Sequence, residues 1–167
     1  VLTEGNRCYW IVKQLESSAR QLGKKTMLSE LYGCTGWQFD MKGHKSVGDW
    51  QALFGVNLRC PHLSWYTMEG EAKRDYPASI FYQSPFYKYY NIIETYFARF
   101  GTLVSESKRQ CDLLVLNPVE SVWAIAHLGW ANWIFSADRN VDLLQTHSEN
   151  VFKMLEGAHI DFDYGEE

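Results

Sequence analysis

The feature that most limits what this chain can fold into is an alternation of two kinds of segment. Stretches with three-four apolar spacing are followed by short apolar runs with no regular polar interruption, "KKTMLSE" (24–30) and "VNLRCPHLSWY" (56–66). A strand with one face in water alternates apolar and polar residues, whereas a strand covered on both faces reads as a nearly continuous apolar run. Helix, strand, helix, strand with strands of the second kind predicts parallel β/α units.

The remaining signals fix the order. Residues 6–22 carry Cys8, Val12, Leu15, Ala19 and Leu22 on one helical face, and Gly23 supplies a stop. The strand 24–30 opens into a loop, "LYGCTGWQFDMKGHKSVG" (31–48). A short helix, "DWQALFG" (49–55), follows, capped by Ser46 or Asp49 and closed by Gly55. Pro61 suggests that the ladder of the next strand stops there. A polar loop, 67–84, contains "EGEAKRDYP", and Pro85 then opens a helix with Tyr89, Ile92, Ile93, Tyr96, Phe97, Phe100 and Leu103 as one continuous stripe. Loops after strands are long and loops after helices are short, as on the active-site face of a β/α barrel.

"RQCDLLVLNPVESVWA" (109–124) begins something different, a strand and a turn. After an irregular stretch, 143–155 reads as a helix with Val141, Leu144, Val151 and Leu155 on one face, and "AHIDFDY" alternates as another strand. Strand, helix, strand suits the opening of a doubly wound domain. The expected domains are therefore 1–108, the C-terminal β/α units of a barrel, and 109–167, the start of a flavodoxin-like α/β domain.

Composition excludes some function classes. The net charge is −4 without long runs of one sign, which argues against nucleic acid as the main partner. No apolar run approaches the roughly 20 residues that span a bilayer. Four cysteines, Cys8, Cys34, Cys60 and Cys111, are widely spaced with no C-x-x-C pair, so a zinc site is not expected. Scattered, buried thiols fit a reducing, cytoplasmic setting. Aromatic residues make up 16% of the chain, a content that suits both a core and flat sugar faces. The first residue is Val1 and the last are "FDYGEE", directly after a strand signal; both ends look cut, and the expectation is a piece of a longer protein.

Glu30 stands where the first strand opens into its loop. A carboxylate at the edge of a core costs free energy unless something pairs with it or uses it. At the C-terminal end of a parallel strand it would point into the barrel mouth, as nucleophile, general base or general acid, and glycoside cleavage needs two such groups flanking one bond. The bland alternatives are an ion pair with Arg59 or Lys25, or a loop cap. Glu4 is a weaker candidate for a second carboxylate. There is no G-x-S-x-G, P-loop or G-x-G-x-x-G motif.

"LSELYGCTGW", "GDWQALFGVNLRCPHLSWY", "GEAKRDYPASIFYQSPFYKYY" and "DLLVLNPVESVWA" together resemble a bacterial family of large (β/α)8 TIM-barrel glycoside hydrolases related to β-galactosidases and α-L-rhamnosidases. The resemblance implies that the strands ending at Glu30 and His62 are the seventh and eighth of the barrel. It implies that the residues from Cys111 onward begin the flavodoxin-like domain, through which related enzymes assemble. Glu30 would then be nucleophile or, in an inverting enzyme, general acid or base, with its partner carboxylate upstream of Val1. His62 would donate to a sugar hydroxyl, with a core histidine as the alternative. Trp37 and Trp65 lie where a stacking platform belongs. Arg74 and Asp75 would pair and brace the mouth, or simply be solvated. No cofactor or metal is implied, and the partner is a carbohydrate substrate. The alternative function is a non-catalytic carbohydrate-binding or assembly module on the same scaffold.

Overall fold

The computed structural model describes residues 9–167 except 79 and 134, and at 135 the backbone only. Glu4 and Cys8 lie outside the described residues. The chain is mixed α/β and divides into two compact units, 1–108 and 109–167.

In the first unit, α1 (Tyr9–Gln21) leads to β1 (Leu28–Leu31), α2 (Met41–Leu53), β2 (Leu58–Pro61) and α3 (Tyr90–Glu106). The two strands are parallel, with Leu28 opposite Leu58 and Glu30 opposite Cys60. Their parallel pairing is the one expected from uninterrupted apolar runs, but only one face is covered, not the two those runs suggest. Period-2 geometry divides the side chains between two faces. Leu31 and Arg59 share one face. Leu31 is buried with Tyr32 and Val47 of α2, and Arg59 lies over the Phe97 ring of α3, 4.0 Å from its centroid. That face is covered by helices. The other carries Leu28, Glu30, Leu58 and Cys60, all exposed; Leu28 is 53% and Leu58 47% accessible.

Helix α2 starts eight residues earlier than the sequence suggests. Asp40 caps it by accepting a hydrogen bond from the Gly43 N–H at 2.8 Å. Gly43 and Gly48 give the segment a loop-like composition, but Gly48 is needed where it is: a Cβ there would fall 2.2 Å from Cζ of Phe97. Helix α3 begins at Tyr90, after a 3-10 turn at Tyr87–Tyr89, rather than at Pro85. Its expected single stripe splits. Tyr90, Ile93 and Phe97 are buried, while Tyr89, Ile92 and Leu103 are exposed.

The face of α1 also differs from expectation. Val12 and Ala19 join Met27 and Val56 in a core cluster, but Leu15 and Leu22 are exposed. Lys13 and Glu16 are buried instead, 3.3 Å apart as an i,i+3 ion pair. Each offsets the other's desolvation, so polar residues occupy an inward face that apolar spacing alone does not reveal.

In the second unit, β3 (Leu114–Asn117) pairs in parallel with β6 (Asp163–Glu166), after α4 (Val119–Ile125), a short antiparallel pair β4 (Ala131–Asn132) and β5 (Phe135–Ser136), and α5 (Arg139–Gly157). Asp138 caps α5 through the Asn140 and Val141 N–H groups. Val141, Phe152, Leu155, Phe162 and Tyr164 are buried. Strand β6 starts later than "AHIDFDY" suggests. Ala158 caps α5, and His159 takes a left-handed φ of 55° as the chain leaves the helix.

Candidate functional site

Strand β1 ends at Leu31 and β2 at Pro61, and the register puts their C-terminal ends side by side. The His62 N–H donates to the Leu31 carbonyl at 2.7 Å, extending the ladder by one step. Residues 30, 60 and 62 share one face by period 2, so His62 reaches Glu30: Nδ1 lies 3.0 Å from Oε1. His62 is thus the residue placed beside the Glu30 carboxylate. Neither expected partner, Arg59 or Lys25, fills this role. Arg59 belongs to the opposite face and bridges both Glu94 oxygens, at 3.2 and 3.3 Å, and the Tyr32 hydroxyl. The Glu30 side chain is 67% accessible and that of His62 15%. An ion pair so open contributes little stability.

Glu30 and His62 line a cavity of about 250 Å³ together with Tyr32, Cys34, Thr35, Gln51 and Tyr76. Two loops close around it. The N–H of Cys34 donates to the Tyr76 carbonyl (3.3 Å), that of Gly36 to the Pro77 carbonyl (2.8 Å), and that of Ala78 to the Thr35 hydroxyl oxygen (3.1 Å). Three lining residues, Tyr32, Cys34 and Tyr76, hold left-handed φ values of 75°, 61° and 44°. Such backbone costs about 1–3 kcal/mol per residue and persists where surrounding bonds over-determine it, often at functional sites.

The floor of this region is a hydrogen-bond relay. His44 is buried, and its Nδ1 is 2.7 Å from the Asp40 carbonyl, so Nδ1 donates and Nε2 accepts from the Tyr90 hydroxyl. The Tyr32 hydroxyl donates to the His44 carbonyl at 3.1 Å. Burial, above all, lowers the His44 pKa below its ordinary value, with Arg59 acting in the same direction and the Asp40 carbonyl against it. Burial raises the Tyr32 and Tyr90 hydroxyls, which stay neutral.

The other expected residues lie apart from the cavity. Trp37 and Trp65 meet edge to face, ring centroids 5.0 Å apart, but Trp65 is buried against Phe81 and only Trp37 is open. They do not form a two-ring platform. Arg74 bonds Glu71 three residues earlier, at 3.0 and 3.1 Å, rather than Asp75, and both side chains are mostly in water. Their loop contributes Tyr76 instead. Gln51 and Tyr76 went unnoticed in sequence: a glutamine inside an amphipathic helix carries no distinguishing signal, and a tyrosine beside a proline reads as turn. Cys34 and Cys60 are exposed rather than buried, and they and Cys111 are free thiols. Among the described residues no group of three or more His, Cys, Asp or Glu could hold a metal ion, and no helix is long and apolar enough to cross a membrane.

No family model, curated protein or solved structure matches the chain.

Proposed function

We propose that the chain belongs to a β/α-barrel glycoside hydrolase, that its first unit holds the last two barrel strands, and that Glu30 carries nucleophile or acid/base chemistry at the barrel mouth. The second unit would begin the flavodoxin-like domain through which copies assemble. The observation that carries this is the pairing of Glu30 with His62 at the C-terminal ends of two adjacent parallel strands, over a cavity. The helix-free face of β1 and β2 supports it. In a closed barrel, Leu28 and Leu58 would face the interior, below Glu30, Cys60 and His62.

In this role His62 orients the Glu30 carboxylate, with Nδ1 beside one oxygen and the other left to meet an anomeric carbon or a water. Glycoside cleavage needs a second carboxylate, about 5–5.5 Å away for retention or about 6.5–9.5 Å for inversion. Glu30 is the one carboxylate among the described residues lining the cavity, so the second comes from elsewhere. The free thiols suit a reducing, cytoplasmic compartment.

The test is turnover of chromogenic glycosides by the full-length protein and by its Glu30→Gln variant. A loss of ~10²- to 10⁴-fold with unchanged thermal unfolding is expected. Activity near wild type in the variant rejects the assignment of Glu30. Absence of turnover in the unmodified full-length protein favours the second reading, a carbohydrate-binding or assembly module, which the high solvent access of Glu30 also suits.

A further inference from the structure

We propose that the cavity at Glu30 is a subsite for a single uncharged sugar ring, and that Gln51 of α2 is the residue that recognises it. The inference rests on the carbohydrate reading above and extends it to the class of sugar. Gln51 is 2% accessible and lines the cavity, yet its Oε1 has no hydrogen-bond partner. Nε2 of His62, on the opposite strand end, is likewise buried and unpartnered. A buried polar atom left without a partner is costly, so two of them at one cavity mark groups held for a ligand. The Thr35 hydroxyl is already engaged on both sides, donating to the Tyr32 carbonyl at 2.5 Å and accepting from Ala78. The groups the wall leaves open are therefore the Gln51 carboxamide, His62 Nε2, the Tyr76 hydroxyl and the Glu30 carboxylate, donors and acceptors together.

Donors and acceptors together call for a ligand whose groups do both, and a compact ring carrying several hydroxyls is a sugar. The lining holds neither Lys nor Arg, and Glu30 brings negative charge. A uronate carboxylate or a sugar phosphate would meet that charge without a compensating cation. The Gln51 carboxamide can turn about its terminal bond to present either end, which suits hydroxyls that both donate and accept.

The experiment follows the Gln51 side-chain amide and His62 imidazole signals by NMR in the full-length protein, selectively labelled at glutamine and histidine. It is titrated separately with methyl glucopyranoside, methyl galactopyranoside, glucosamine, glucuronate and glucose 6-phosphate. At least one neutral glycoside should shift both sets of signals, and the two anionic sugars should not at equal concentration. Gln51→Leu should weaken the neutral glycoside about tenfold, the equivalent of one lost hydrogen bond. Gln51→Met, which keeps the length but not the amide, should weaken binding as Gln51→Leu does, and unchanged thermal unfolding of both variants guards against misreading a folding defect. A response to glucosamine alone would assign the cavity to cations and overturn the proposal. So would shifts from the anionic sugars as strong as from the neutral ones, unchanged affinity in Gln51→Leu, or no response to any sugar. Neutral-sugar binding by a full-length protein that hydrolyses nothing would keep this inference and remove the enzyme.

Discussion

His44 shows how one side chain sets a pH limit on the fold. Its neutral ring is the acceptor for Tyr90 and the donor to Asp40, and burial holds its folded pKa below the ordinary value of about 6.5. Below that value an unfolded histidine takes a proton that the folded one refuses, so the unfolded state binds more protons and stability rises with pH. This contribution is present above about pH 6.5 and is lost on acidification toward the folded pKa. Urea midpoints of the chain should drop between pH 7.5 and 5.5, and His44→Gln should flatten that slope; an equal slope in the variant would assign it to another group. Gly48 offers a second residue-scale test. Replacing it with Ala gains roughly 1 kcal/mol of helix propensity, but the new methyl overlaps Phe97, and overpacking costs about 1–3 kcal/mol. The clash should win, and Gly48→Ala should lower the thermal midpoint.

At the scale of elements, α2 depends on the residue just before it, Asp40. Two glycines weaken it, and the Asp40 cap offsets part of that loss. Asp40→Ala should cost about 0.5–2 kcal/mol in denaturant unfolding. This helix also shows what the sequence could and could not disclose. The strands and their parallel pairing were legible, because apolar runs joined by helices leave few alternatives, but the meeting of residues 30 and 62 was not, since Arg59 or Lys25 was the expected partner of Glu30. The start of α2 was not, since Gly43 and Gly48 imitate a loop and only packing against Phe97 explains the second. The buried face of α1 was missed because Lys13 and Glu16 hide as a pair within a helix that seemed to bury its leucines. The roles expected of Trp65, Arg74 and Asp75 depended on loop paths, which here are set by backbone bonds between two distant loops that side-chain patterns do not encode.

At the scale of the whole molecule, each unit keeps apolar surface in water. Leu28, Leu58, Ile92 and Leu103 are exposed in the first, and Leu114 and Leu116 on β3 in the second. Two-stranded parallel sheets also leave ladder groups open at their edges. The 167-residue chain should therefore self-associate at micromolar concentration, visible as concentration-dependent sedimentation. A monodisperse monomer with one cooperative transition would count against the proposal that further barrel strands cover β1 and β2.

The loop stitches between Cys34 and Tyr76 and between Gly36 and Pro77 run from main chain to main chain. The outline of the mouth is thus drawn by atoms that every amino acid shares, while the chemistry inside it hangs on a few interchangeable groups. A lineage carrying this architecture could exchange Tyr76 or Gln51, and with them what the cavity accepts, without redrawing the frame that holds them.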